Sequence, residues 1–401
     1  MNRISLQQAF SQGLRGILNV QSQLFKTQDQ VSSGNRVLSP ADDPVAAARI
    51  LQLEQSGAEI VQYKKNIAGA QTSLDLEDTQ LDSVGNLLIR VRELTVQAGD
   101  GGLSQSDRQG ITAELKTRLD ELVSLANTRS TSGEYIFGGY QGQQAPFVKS
   151  GNSYVYRGDD GQRLVQVSSS TSVPINDSGK SIFVAVDSVR LNGVANPANS
   201  GGATISNGQV IDQATFGSSF SGTYQINFTS ANTYDIVDSG GATVLSGATY
   251  TSGQPIQFNG AGFRITGTPA TGDNFQISPP STQGIIDTVA KLANMLGSLT
   301  DLPDDKLRLQ DLISESLDNL DSAQANISET RARIGGRQNV LDSTTDLQTG
   351  VDIVNQKVLG DIRDLDYAEA ITRLTKEQTI LQAAQQSFAN ISKLSLFNFL
   401  N

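Results

Sequence analysis

Both ends of this chain carry one heptad pattern, and no other feature constrains the fold as tightly. Near the start, Phe10, Leu14, Ile17, Gln21, Leu24, Gln28 and Val31 step by fours and threes. Near the end, Ile371, Leu374, Gln378, Leu381, Gln385 and Phe388 do the same, continuing to Ile391, Leu394 and Phe397. This spacing is the seam of helices that pack lengthwise on other helices. Neither segment contains proline, and each predicts a helix of roughly 45 Å at 1.5 Å per residue. Glutamine stands where a stable coiled coil would place leucine, and polar seam residues lower affinity and fix register. The apolar seam residues therefore read as an assembly interface that joins a partner in one alignment. The competing reading is a bundle closed within the chain.

Composition removes most chemistry. The 401 residues contain no histidine and no cysteine, so imidazole acid–base catalysis, Ser-His triads, thiol nucleophiles, disulfides and His- or Cys-held metals are absent. No catalytic residue, cofactor site or metal site is expected. A net charge of −11 argues against nucleic acid and against anionic membranes. With 37% hydrophobic and 6% aromatic residues and no tryptophan, small cores and long helices fit better than one large globule. The first residues, Met1-Asn2-Arg3-Ile4-Ser5, lack the apolar core of a secretory signal, and no apolar run reaches bilayer length. Membrane insertion and a cleaved leader are thus not expected.

Along the chain, Ser33-Gly34-Asn35 ends the first helical segment, and Asp43 caps a second helix with Pro44 at its first position. That helix runs to Ala98. Ser104 and Asp107 form a capping box for a third, which should pack antiparallel to the second. Composition changes near Gly138, becoming rich in Gly, Ser, Thr and Asn. Tyr154–Arg157 and Gln162–Val167 around Gly158-Asp159-Asp160-Gly161 predict a hairpin. Further strands are predicted at 182–186, 224–228, 234–237, 256–258, 263–266 and 275–277, with 195–206 a loop between two β subdomains. Helical patterning resumes after Pro280, breaks at Asp301-Leu302-Pro303, and continues to the end. The fold class is α+β: long terminal helices form a coiled-coil or helical-bundle rod, with an antiparallel β domain inserted. Its expected segments are a terminal helix at 1–42, helical halves at 43–139 and 281–365, the β domain at 140–280, and a terminal helix at 366–401.

Three stretches resemble the bacterial flagellins and their relatives at the hook–filament junction. These are Ser32 to Pro44, with its Ala41-Asp42-Asp43-Pro44 ending, Ala332-Arg333-Ile334-Gly335-Gly336-Arg337-Gln338-Asn339, and Asp364-Leu365-Asp366-Tyr367-Ala368-Glu369. Two more are similar to the junction branch: Gly133-Glu134-Tyr135-Ile136-Phe137-Gly138-Gly139, and the ending from Gln382 through Leu400. The resemblance covers roughly 1–145 and 285–401. It implies a structural subunit of the flagellum, exported unfolded by the flagellar type III apparatus with a chaperone on the C-terminal helices. It implies an extracellular place between the first hook-associated protein and flagellin, with self-association in a ring or tube. Filament flagellin is the near alternative. A secreted module whose β domain binds a glycan or host surface is the distant one; its scattered aromatics are Tyr224, Phe228, Tyr234 and Phe263, most of which alternation places in the core.

The acidic and basic clusters have plainer readings. Asp42-Asp43 reads as helix capping, and Asp361, Asp364 and Asp366 lack the glycine and distal glutamate of a calcium loop. Arg331, Arg333 and Arg337 should pair with carboxylates on adjacent helices.

Overall fold

The computed structural model describes residues 2–397, with side chains for residue 8 and residues 10–390. The chain divides into two compact units, Met1–Asn66 with Ser343–Asn401, and Ile67–Asp342. Helices α1 (Asn2–Ser33), α2 (Pro44–Ala98) and α3 (Gln105–Ala126) precede the β region. Within it lie a π-helical turn (Lys180–Val184) and α4 (Gln213–Ser219). Helices α5 (Ile285–Ser298), α6 (Pro303–Arg363) and α7 (Tyr367–Phe397) follow it. The two units each take part of α2 and α6.

Local signals set these ends. Gly34 adopts φ 72° after α1, a conformation glycine enters without a Cβ penalty. Asp43 accepts from Ala46 N at 3.0 Å, which caps α2 in front of Pro44. Ser104 and Asp107 close a reciprocal capping box on α3. Asp366 accepts from Ala368 N and Glu369 N to start α7.

In the larger unit, α2, α3, α5 and α6 share one core with Leu74, Leu81, Leu88, Leu115, Leu122, Val289, Leu292 and Ile334. Arg90–Glu114 and Gln80–Thr128 contacts fix α2 and α3 as antiparallel. Arg92–Asp321 and Arg331–Asp78 do the same for α2 and α6. Burying one leucine side chain of this kind stabilises by about 1.5–3 kcal/mol.

Small hairpins sit on the same core: β1 (Phe147–Ser150) with β2 (Ser153–Tyr156), and β3 (Leu164–Gln166) with β4 (Ser172–Pro174). The hairpin expected around 158–161 is therefore not formed. Ser153–Tyr156 pairs backwards across Gly151-Asn152, and the 158–161 turn serves a different contact. Asp159 accepts from Tyr140 N and Gly161 N, both at 2.8 Å, and the Tyr140 ring lies where a Cβ on Gly161 would stand. The strand expected at 182–186 is likewise replaced by the π-helical turn, which buries Ile182 and Phe183 side by side. Only β5 (Val186–Asp187) follows, paired with β15 (Thr282–Gln283).

The remaining strands are β6 (Asn192–Ala195), β7 (Thr204–Ile205), β8 (Gln209–Val210), β9 (Tyr224–Ser230), β10 (Thr233–Asp238), β11 (Thr243–Thr249), β12 (Pro255–Phe258), β13 (Ala261–Thr266) and β14 (Asn274–Ser278). They form an antiparallel sheet ordered β11-β10-β9-β14-β6 and a smaller one built on β12, β13, β7 and β8. Both sheets feed one core of Tyr224, Ile226, Phe228, Ile236, Phe263 and Phe275. The two cores meet in sequence between Val186 and Leu191. The subdomain divide thus precedes the expected 195–206 loop, part of which is strand.

Candidate assembly interface

In the terminal unit α1 and α7 lie antiparallel. The Phe10 and Phe388 rings stand 4.6 Å apart, and Arg373 donates to Gln30 Oε1 at 2.9 Å. Ile17, Leu24 and Val31 are half-buried on α1, as are Leu374, Leu381 and Phe388 on α7. The seam expected to await a partner is thus partly used within the chain. Its polar positions also shift. Thr27 and Gln30 are buried while Gln28 is exposed, and Glu377 and Ala384 face inward in place of Gln378 and Gln385. The inward face still repeats every seven residues, but the second position of each repeat lies three residues after the first instead of four, as at Leu24 and Thr27, Leu374 and Glu377, and Leu381 and Ala384. Gln30 is satisfied inside the chain, since its Nε2 donates to Arg36 O at 2.6 Å.

The two interhelical loops are stitched together. Arg36 N donates to Arg363 O at 2.7 Å, and Leu365 N donates to Gly34 O at 2.9 Å. The Arg36 guanidinium donates to Ile362 O at the end of α6. Asp42 accepts from Leu38 N and Ser39 N and pairs with Lys26 at 2.7 Å. The Lys26 contact and these backbone donors hold its carboxyl down to about 2. The family-motif residues here, Asp42, Asp43, Pro44 and Asp366, therefore build turns and caps. Tyr367 stands over Gly34, with its hydroxyl 2.9 Å from where a Cβ would be. In the larger unit, Phe137 is fully buried against Phe183, Tyr135 stacks under Arg129, and Gly138-Gly139 closes on 141–142 and Asp159.

The terminal unit keeps little apolar surface to itself. Among the described residues its buried apolar side chains are Ala46, Ile60 and Ala370. Large apolar groups remain in water instead. Leu14 is 44% exposed, Leu18 and Phe25 are each 54% exposed, and these three share one stripe of α1. Ile371 and Ile380 on α7 are exposed, as are Val45, Leu51 and Val61 on α2 and Leu347, Val351, Ile353 and Val354 on α6. Such a surface marks interaction sites in proteins of known structure. Ile391, Leu394 and Phe397 lie outside the described side chains.

Other surfaces carry less. The β-domain aromatics Tyr224, Phe228, Tyr234 and Phe263 are all buried, so they offer no stacking platform. Among the described residues there is no cluster of three or more acidic side chains placed to hold a metal. No described helix is long and apolar enough to cross a membrane. Of the arginine cluster, Arg331 pairs with Asp78 and Asp82 on α2, Arg333 with Glu329 on its own helix, and Arg337 with Asp177. Sequence reading did not find Glu77 or Asp177, which come from distant segments to contact each other, with Asp177 in turn paired to Arg337.

Comparison with known proteins agrees with this architecture. Residues 4–142 match the bacterial flagellin N-terminal helical region, and residues 317–400 match the C-terminal helical region. Flagellar hook-associated protein 3 of Escherichia coli is 26% identical over 395 residues, covering 98% of each chain. The crystal structure of Xanthomonas campestris FlgL aligns with a TM-score of 0.64 and 31% identity, covering 77% of this chain and 99% of that one. Hook-associated protein 3 of Legionella pneumophila aligns with a TM-score of 0.65 and 28% identity, covering 78% and 98%. With paired terminal helices, an inserted antiparallel β domain and these relatives, the chain belongs to the flagellar hook-associated protein 3 (FlgL) family of the flagellins.

Proposed function

We propose that this chain is a structural adapter at the hook–filament junction, joining the first hook-associated protein on one side to flagellin on the other. The supporting observation is the terminal unit's exposed apolar surface, left over after α1 and α7 have paired. Subunits in a tube make head-to-tail contacts that do not close within a dimer. Each exposed stripe then meets a different surface on a neighbour, and burial of Leu14, Leu18 and Phe25 supplies the association energy. Before assembly the exposed apolar residues of α7, Ile371 and Ile380, need cover, which is the role of a chaperone on the C-terminal helices during type III export. The protein then acts outside the cell, in the flagellum, without catalysis.

The test is Phe25→Asp in the full chain, scored by ring or tube formation with the neighbouring hook-associated protein and by motility. A buried aspartate in an apolar contact costs several kcal/mol, so assembly should fall at least a hundredfold while circular dichroism stays unchanged. Normal assembly by a folded Phe25→Asp chain would refute the assignment of this stripe.

A further inference from the structure

One buried cluster has no part in the assembly surface. Asp177 is held from three directions: Arg337 on α6 donates to both carboxylate oxygens at 2.9 Å, Gln162 donates to Oδ1 at 2.7 Å, and its own backbone N–H donates to Glu77 Oε1 on α2 at 2.9 Å. Glu77 is 1% exposed. Its Oε2 and the nearby Asn176 Nδ2 have no hydrogen-bond partner among the described residues. Both residues line a cavity of about 210 Å³ with Ser73, Ser130, Glu134 and Arg163.

The charged groups facing Glu77 are few. Arg337 and Arg333 approach from α6, and Asp177 from the segment before the π-helical turn. Glu134 and Arg163 share the cavity but are paired with each other. Arg337 spends its guanidinium fork on Asp177, so an ionised Glu77 would sit beside a second carboxylate with one backbone donor and no counter-ion of its own. Burying an unpaired charge costs more than burying the neutral acid.

We propose that the Glu77–Asp177–Arg337 cluster is a proton-dependent fastener, which ties the segment around Asp177 to α2 and α6 while Glu77 is protonated and loosens it when Glu77 ionises. Burial, with the Asp177 charge second, pushes the Glu77 carboxyl up from 4.5 to about 8. In the unfolded chain it ionises at its ordinary value, so between these limits folding takes up one proton. Stability from this group is greatest below 4.5, falls about tenfold in the folding constant per pH unit, and levels off above 8.

The test compares the full chain with Glu77→Gln, which keeps an acceptor for Asp177 N and cannot ionise. The difference between their unfolding midpoints should grow from pH 5 to pH 8 in favour of the variant and stay constant above. Hydrogen exchange at 175–184, corrected for intrinsic rate, should quicken above pH 8 in the natural chain only. Parallel midpoint profiles and equal exchange would overturn the proposal. Because the variant changes a buried site, proton uptake is also counted on the natural chain alone, by unfolding calorimetry at pH 6.5 in buffers of different ionisation enthalpy. One more proton released on unfolding than the other groups account for supports the fastener, and no such proton rejects it.

Discussion

Gly34 shows how much a single residue carries. It stands at φ 72°, where an L side chain costs roughly 1–2 kcal/mol, and the Tyr367 hydroxyl occupies the space a Cβ would need. Both helix-to-helix loops of the terminal unit pass through this point, because Leu365 N donates to Gly34 O. Gly34→Ala should therefore destabilise the terminal unit by roughly 1–2 kcal/mol, read as faster hydrogen exchange in the first turn of α7. Adding Tyr367→Phe should recover the contact part and leave the backbone part. Unchanged exchange in Gly34→Ala would mean that the loop is free to rebuild around a side chain. The glycine stop was readable in sequence as Ser33-Gly34-Asn35, but the tyrosine over it was not, since 333 positions separate them.

At the scale of elements, what was legible was what neighbours in sequence decide. Asp43 with Pro44, Ser104 with Asp107, and Pro303 after Asp301 each act within one turn, so the helix limits follow from them. The β region failed where longer-range packing overruled local signals. Gly158 to Gly161 has the residues of a hairpin turn, yet Asp159 is drawn to Tyr140 N, and the flanking segments find other partners. The 182–186 run has strand residues, yet one π-helical turn buries both Ile182 and Phe183, which an alternating strand would send to opposite faces. β11 escaped notice because its residues are exposed on both faces apart from Ala248, leaving no alternation to read. Helical periodicity survives such effects because its core positions repeat over many turns. Leu81, fully buried between α2 and its neighbours, tests this: Leu81→Ala should cost about 2–5 kcal/mol in chemical denaturation. A loss below 1 kcal/mol would show that the shared core is loosely packed.

The whole molecule is built on an unequal distribution of apolar burial. The larger unit holds both hydrophobic cores, while among the described residues the terminal unit buries Ala46, Ile60 and Ala370 and leaves leucines, valines and phenylalanines in water. Pairing of α1 with α7 satisfies part of the seam and the loop hydrogen bonds, but it does not bury enough surface to make those helices strongly stable, since most helical stability in proteins comes from packing an apolar face. A chain constructed this way concentrates its stability in one part, and the proposed assembly uses the other. The fragment 67–342 should accordingly fold on its own, with its main unfolding midpoint close to that of the full chain. In the full chain α1 and α7 should exchange their amides well before the α2–α3–α5 core does. A fragment that fails to fold, or terminal helices protected as strongly as Leu81 and Val289, would place the stability in the terminal unit. The exposed stripes would then be ordinary surface, and the case for assembly through them would have to rest on another face.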